Sequence, residues 1–198
     1  MKLKLKSILK PTLTLFLVCL IVTGALSVTY NITKDTISAR EALEAENGRK
    51  NVLPEADTYR KIENIEELQE KSTRLELVKE AYEGLKGGNV EGYVFSVVSK
   101  GYGGDIKIMV GIDKDMKITG IKVLSHSETP GLGSKATNEK FLSQMIGIVP
   151  KEKLKVVKTK RTKSEEIDTV TSATITSEAV VKAVQAAVDM AAVLKSGV

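Results

Sequence analysis

The chain has no tryptophan, one cysteine, one histidine and four prolines among its 198 residues. Each scarcity removes a class of chemistry. Cys19, alone inside an apolar run, allows no intrachain disulfide and no cysteine-ligated zinc or iron–sulfur site. His126 is the only histidine, so a multi-histidine metal centre is excluded, and a Ser-His-Asp triad would have to draw on that one residue. Three Phe and five Tyr, without Trp, are too few for a surface that stacks single-stranded bases. Acidic residues are absent before Asp35, whereas Lys2, Lys4, Lys6 and Lys10 all precede it. The net charge of +5 therefore belongs to the N-terminus. Apart from those four lysines, the basic residues balance the 25 acidic ones to within one charge. No nucleic-acid partner is expected.

Charge is also missing from "PTLTLFLVCLIVTGALSVTYNIT", Pro11 to Thr33. That run is long enough to cross the ~30 Å hydrocarbon core as a helix. We expect a basic cytoplasmic N-terminus at 1–10 and a transmembrane helix at 11–31. The lysine bias places the rest on the extracytoplasmic side of the cell (inner) membrane, with Tyr30 at the outer interface. A cleaved signal peptide is the competing reading, because "GALS" offers small residues. The apolar run is long for that, and Cys19 lacks the preceding small residue of a lipoprotein site.

Beyond the span, Thr33 to Asn47 reads as a helix that Gly48 would end, and "NVLPEAD" turns at Pro54. Residues 32–85 are expected to form a membrane-proximal helical region without an assigned role, in which "IENIEELQEKSTRLELVKEAYEG" reads as a solvated helix or as a helix and a strand. Residues 86–198 form the main domain. "GYVFSVVSK", "DIKIMVGID" and "KITGIKVLSHS" alternate as three strands of an antiparallel meander. "NEKFLSQMIG" reads as a short helix, "KLKVVKTK" and "IDTVTSA" as further strands. "SEAVVKAVQAAVDMAAVLKSG" is a helix with Val180, Val184 and Val188 on one face and Val181 beside them. The class is α+β: one N-terminal transmembrane helix, then an antiparallel sheet with flanking helices.

Three stretches invite chemistry. "GYGGDIK", Gly101 to Lys107, is glycine-rich but lacks phosphate-loop spacing, and reads as a hairpin turn. In "HSETPGLGSKA", Pro130–Gly131 suits the centre of a type II turn. Gly131 and Gly133 flank Leu132, so backbone can approach a flat ligand that Leu132 covers, while Glu128 and Thr129 add an acceptor and a hydroxyl. An ordinary turn before a helix fits equally well. In "DTVTSATITSEAVVKAV", six hydroxyl residues precede a helix. Thr176 or Ser177 can cap a helix starting near Glu178, which puts Thr174 just before free N–H groups that favour a phosphate. Ala173 and Ser172 are small enough to let a bulky group reach Thr174. A simple cap with incidental hydroxyls is the bland alternative.

Taken together, these stretches resemble a known family. "D-T-V-T-S-A-T-I-T-S", Asp168 to Ser177, resembles the Asp-x-x-[Ser/Thr]-[Gly/Ser]-Ala-Thr-x-[Ser/Thr] signal at which a flavin transferase attaches FMN. "S-E-T-P-G-L-G" resembles the flavin-contacting loop of the same FMN-binding domain. With one N-terminal membrane helix, the chain is similar to the G subunits of Rnf ferredoxin:NAD oxidoreductases. These are themselves related to the C subunits of sodium-pumping NADH:quinone reductases. The likeness runs from about Lys2 to Ala191. It is strongest at Gly101–Gly133 and Asp168–Ser177, and weak at Glu55–Lys86. One departure is Ser172, where the family commonly has Gly.

The resemblance implies FMN joined through its phosphate to Thr174, contacted by Glu128, Thr129, Gly131, Leu132, Gly133, Thr171, Ser172 and Ala173. It implies recognition by a transferase, with FAD as donor, at Asp168, Thr171, Ser172, Ala173 and Thr174. It also implies other membrane, iron–sulfur and flavin subunits as partners, and electron relay in an ion-translocating oxidoreductase, the chain not being catalytic alone. The alternative from another class is an anchored small-anion binding or sensory module without redox chemistry. A reductase acting alone would need a second catalytic domain for which the chain is too short.

Overall fold

The computed structural model describes residues 5–63, 65–69, 72–159 and 161–196. Lys2 and Lys4, which carry part of the charge bias, lie outside the described residues, as does Lys160 of the expected strand "KLKVVKTK". Two compact units divide the chain, 1–44 and 45–198.

The first unit is helical throughout its described length, as part of helix α1, Leu5–Val52. By length and composition this helix can cross a membrane. At 1.5 Å per residue the uncharged stretch Pro11–Thr33 covers roughly 35 Å. Several of its polar side chains bond within the helix. The hydroxyls of Thr14, Thr29 and Thr33 donate to carbonyls four residues back, at 2.9–3.0 Å. The amide of Asn31 donates to the Ser27 carbonyl at 3.1 Å. Groups satisfied in this way remove the main cost of placing them in hydrocarbon.

Gly48 does not end α1, contrary to the sequence expectation; the helix continues to Val52. Gly48 is buried, and a Cβ there would stand 2.9 Å from Met109 Sδ. Its lack of a side chain serves close packing inside the second unit rather than helix termination.

The second unit is built on a five-stranded antiparallel sheet in sequential order: β1 (Thr58–Lys61), β2 (Val78–Lys86), β3 (Asn89–Lys100), β4 (Asp105–Asp113) and β5 (Ile118–His126). The three expected strands are β3, β4 and β5. β2 after the short helix α2 (Ile65–Gln69) is the helix-and-strand alternative for residues 62–84, whereas β1 was not expected. Only α2 and a 3₁₀ turn at Leu75–Leu77 are helical among the described residues between Asp57 and Lys86. β2 buries Val78 and Ala81 while Lys79 and Lys86 stay exposed, and its charged outer side masked the alternation.

Beyond the sheet come a 3₁₀ turn at Gly133–Thr137, helix α3 (Glu139–Leu142), strands β6 (Lys155–Val157) and β7 (Glu166–Asp168), and helix α4 (Thr174–Lys195). β6 and β7 form a separate parallel pair rather than extending the antiparallel sheet, and β7 ends at Asp168, short of the expected strand "IDTVTSA".

Both faces of the sheet are covered. On one, Phe95, Val97, Ile106, Ile108, Val110 and Ile112 pack in a core that includes α4, where Val180, Val181, Val184 and Val188 are buried as the spacing predicted. Burying each such valine contributes about 1.5–3 kcal/mol. On the other face, Val94 and Met109 meet Val52, Leu53 and Ala56, and the Arg49 guanidinium lies 4.6 Å over the Tyr82 ring. This second face leaves no room for side chains where Val52 sits. A Cβ on Gly111 would stand 2.1 Å from the Val52 carbonyl oxygen, and one on Gly120 2.7 Å from Val52 Cα. Thr119 donates its hydroxyl to the same carbonyl.

Gly111→Ala therefore forces backbone apart and should destabilise the second unit by about 2–3 kcal/mol. Chemical denaturation of the full chain in micelles measures this, with Gly24→Ala, which meets nothing within 4 Å, as the matched control. Equal midpoints for Gly111→Ala and the unaltered chain would mean that Val52 is not seated against Gly111.

Candidate functional site

The segment Thr169–Ala173 turns the chain from β7 into α4. Ala173 N–H donates to the Val170 carbonyl at 3.0 Å, closing the turn. Ser172 takes a left-handed conformation, φ +65. A side-chain-bearing residue there costs on the order of 1 kcal/mol, which gives a physical reason for glycine at this position.

Helix α4 starts at Thr174, earlier than the sequence suggested. Thr176 and Ser177 lie inside its first turn and do not cap it. Ser177 Oγ accepts from the Val170 N–H at 3.2 Å and donates to the Ala173 carbonyl at 2.9 Å, so it stitches the turn to the helix. Ala173 occupies the cap position and has no side chain to offer. Among the described residues, nothing accepts from the N–H groups of Thr174, Ile175 and Thr176. These three donors, at the positive end of a 22-residue helix, are suited to an anion.

Thr176 is turned inward and donates to Glu128 Oε2 at 2.8 Å. Glu128 is 5% exposed. Its other oxygen accepts from the backbone N–H groups of Tyr102 at 2.9 Å and Gly103 at 3.1 Å. One carboxylate thus joins three segments: the β3–β4 turn, the loop after β5, and α4. Space for it comes from two missing side chains. A Cβ on Gly101 would stand 2.1 Å from Glu128 Oε1, and one on Gly133 2.3 Å from Oε2. Gly133 therefore makes room for Glu128 as well as facing the space beside it.

The expected turn is present. Leu132 N–H donates to the Thr129 carbonyl at 3.3 Å across Pro130–Gly131, and Gly131 has φ +79, as a type II turn requires. Ser134 Oγ accepts from the Gly131 N–H at 2.9 Å.

A cavity of about 320 Å³ opens between these segments. Of the sequence-predicted residues, Glu128, Thr129, Leu132, Gly133, Ser172, Ala173 and Thr174 all line it. Gly131 and Thr171 are exposed and stand off its wall. Asp168 is not on it either. That residue is exposed at the end of β7, its backbone clasped by the Gln144 amide, and it faces a separate cleft.

Sequence reasoning missed Tyr102, Ile175 and Thr176 as wall residues. Tyr102 belongs to the turn read as an ordinary hairpin connection, and its aromatic ring between glycines was the available signal. Tyr102, Leu132 and Ile175 are 75%, 49% and 53% exposed, so the mouth carries apolar surface that nothing in the described fold covers. The half-buried Thr174, the three free N–H groups and this apolar rim fit a ligand with a phosphate at one end and a flat apolar body at the other.

Comparison with known proteins accords with that chemistry. A family model described as an FMN-binding domain matches residues 101–189, and one described as the RnfG N-terminal region matches residues 1–50. The chain is 33% identical over 191 residues to the G subunit of the Na(+)-translocating ferredoxin:NAD(+) oxidoreductase complex of Acetobacterium woodii, covering 93% of this chain and 92% of that one. It is 33% identical over 192 residues to the G subunit of the proton-translocating ferredoxin:NAD(+) oxidoreductase complex of Clostridium ljungdahlii, covering 96% and 95%. Among solved structures, Shewanella oneidensis NqrC aligns at 26% identity with a TM-score of 0.47, over 59% of this chain and 61% of that one.

If Glu128 is the joint of the site, its removal and the filling of Gly133 are not independent. Glu128→Ala should cost about 1–3 kcal/mol by stranding two N–H groups and a hydroxyl. Gly133→Ala should cost a similar amount by collision with the carboxylate. Together they should cost less than their sum by about 1 kcal/mol, as for residues in contact. Additive losses in thermal unfolding of the four chains would rule out the contact.

Proposed function

Because the chain belongs to the family of G subunits of ion-translocating oxidoreductase complexes, we propose that it is the anchored electron relay of such a complex, with FMN esterified to Thr174. The chain is a flavoprotein subunit with an FMN-binding domain and an N-terminal helix able to anchor it. One observation chiefly supports the covalent link and the relay. Thr174 stands on the cavity wall at the start of α4, beside three backbone N–H groups that no residue of the described chain uses.

When bound, FMN supplies exchange between one- and two-electron transfers. The chain's own residues hold it. Thr174 Oγ1 provides the ester oxygen, and the N–H groups of Thr174, Ile175 and Thr176 receive the phosphate charge. Leu132, Tyr102 and Ile175 offer apolar cover, with Thr129 at the rim. Glu128 acts one step back, fixing the two loops that carry Tyr102 and Leu132.

Attachment is transfer from FAD by a separate enzyme. The Thr174 hydroxyl attacks the FMN-side phosphorus, a P–O bond forms, the phosphoanhydride bond breaks, and AMP leaves as the hydroxyl proton is lost. Asp168 and Thr171, both exposed, together with Ser172 and Ala173, are the residues such an enzyme reads. An anchored anion-binding module would use the same helix mouth, but leaves the apolar rim without a purpose.

The uncharged span makes this protein an unsuitable ion path by itself, which leaves translocation to partner subunits. The lysine bias favours a cytoplasmic N-terminus and an extracytoplasmic domain.

Mass spectrometry of the purified chain should find one FMN less water added to the peptide bearing Thr174. Thr174→Ala should remove it, and Thr174→Ser should retain part. Full modification of the alanine variant would place the linkage elsewhere.

The orientation is checked separately. In a Cys19→Ser background, a cysteine at Asn89 should react with an impermeant maleimide on intact spheroplasts, while one at Lys4 should react only after lysis. The opposite pattern would reverse the topology.

A further inference from the structure

The near-neutral total charge outside the N-terminus conceals a local concentration. Seven of the thirteen residues from Lys151 to Lys163 are basic, and Glu152 is the only acid among them. The two acids that follow, Glu165 and Glu166, are buried and turned into the segment. Glu165 accepts from the Lys151 N–H at 3.1 Å and the Ser164 hydroxyl at 2.8 Å. Glu166 accepts from the N–H and hydroxyl of Thr162 at 2.7 and 2.8 Å, and pairs with Lys155 at 3.2 Å. The Thr162 N–H and hydroxyl, with Lys155, hold the Glu166 carboxyl down to about 2, so it stays ionised and internally engaged at neutral pH.

The cations face out. Lys151, Lys153 and Lys158 are exposed and have no ion-pair partner among the described residues. The lobe is flanked by two clefts that add to them. Lys135, Lys140 and Arg161 line one of about 560 Å³, and Lys153, Lys155 and Lys182 line a second of about 200 Å³. The larger cleft also takes Asp168, Thr169 and Val170 into its wall, the segment that leads directly to Ser172, Ala173 and Thr174.

We propose that this lobe and its two clefts form a cationic docking face for an acidic protein surface, placed beside the cofactor-bearing turn. Clustered lysines repel one another, so a fold that buries the neighbouring carboxylates and leaves the lysines outward favours an external anion. Two features favour a protein over an anionic lipid surface. Among the described residues between Lys151 and Ser172, no large apolar side chain is exposed, so the lobe lacks the groups that insert at a membrane interface. The lysines also line concavities, which accept protruding carboxylate side chains. A face of this kind sets register and association rate more than affinity, as suits a protein that must present its cofactor to a redox partner. The docking face does not depend on the linkage at Thr174, and its failure would leave that assignment intact.

The test uses the whole complex solubilised in mild detergent. A zero-length carbodiimide should join Lys135, Lys140 or Lys153 to aspartate or glutamate of another subunit. Amine acylation of these lysines should be clearly slower in the complex than in the purified full-length chain, because amines paired with carboxylates in an interface are withdrawn from the reagent, while Lys86 and Lys117 react alike in both. Lys135→Glu combined with Lys140→Glu, both at exposed positions, should release the chain from the complex at lower salt without changing its flavin content. Equal acylation in complex and free chain, or cross-links confined to other faces, would overturn the proposal. Protection of the free chain by vesicles of anionic phospholipid, without other subunits, would overturn it in favour of a lipid surface.

Discussion

The site depends on one buried carboxylate. Glu128 comes from the loop after β5 and bonds to the turn before β4 and to the first turn of α4. A charge taken out of water must be met by donors, and this one is met by two backbone N–H groups and a hydroxyl. That requirement fixes much else. It needs glycine at 101 and 133 to leave room, threonine at 176 to reach in, and a β3–β4 turn tight enough to aim two successive N–H groups at one oxygen. The walls of the cavity are then held in register by a bond network rather than by each loop's own stiffness.

The hydroxyls before α4 divide their tasks. Thr176 serves Glu128 and Ser177 serves the turn, while Ser172 sits where the backbone is left-handed. Thr174 makes no hydrogen bond through its hydroxyl within the described chain and remains at the wall of the cavity. The cluster that looked redundant as a sequence resolves into supports around one unengaged group. Leaving α4 uncapped has the same logic, because a capping side chain at 173 would occupy the donors a phosphate needs.

Much of the frame was legible because periodicity reports burial. β3, β4 and β5 alternated, and the valines of α4 recurred every four residues. β1 was not legible, and β2 only as one of two alternatives. Their outer residues are charged, and the ladder that runs from β1 through β2 to β3 makes them strands. The wall residues Glu128, Thr129, Leu132, Gly133, Ser172, Ala173 and Thr174 were legible through the motifs that hold them. Tyr102 was not, since its place on the wall follows from a backbone bond to a carboxylate 26 residues away. Glu128 itself was expected to face a ligand; its engagement with peptide N–H groups leaves no mark on the sequence. The basic lobe was hidden for a different reason: a sum over the chain cancels charges that folding separates.

β4 is buried through most of its length on both faces, by α4 on one side and by Val52 and Leu53 on the other, and it is hydrogen-bonded along both edges. Its amides exchange with solvent only when a covering layer and a neighbouring strand move away, which places it, with β3, among the slow-opening elements of the domain. The turn holding Tyr102 and the loop holding Leu132 leave that sheet region through β3–β4 and β5, and they open together once the Glu128 bonds are broken. The domain is thereby graded, stiff along β3 and β4 and looser toward the cavity mouth. Motion at the mouth reaches Thr174 through the Glu128–Thr176 bond rather than through the sheet.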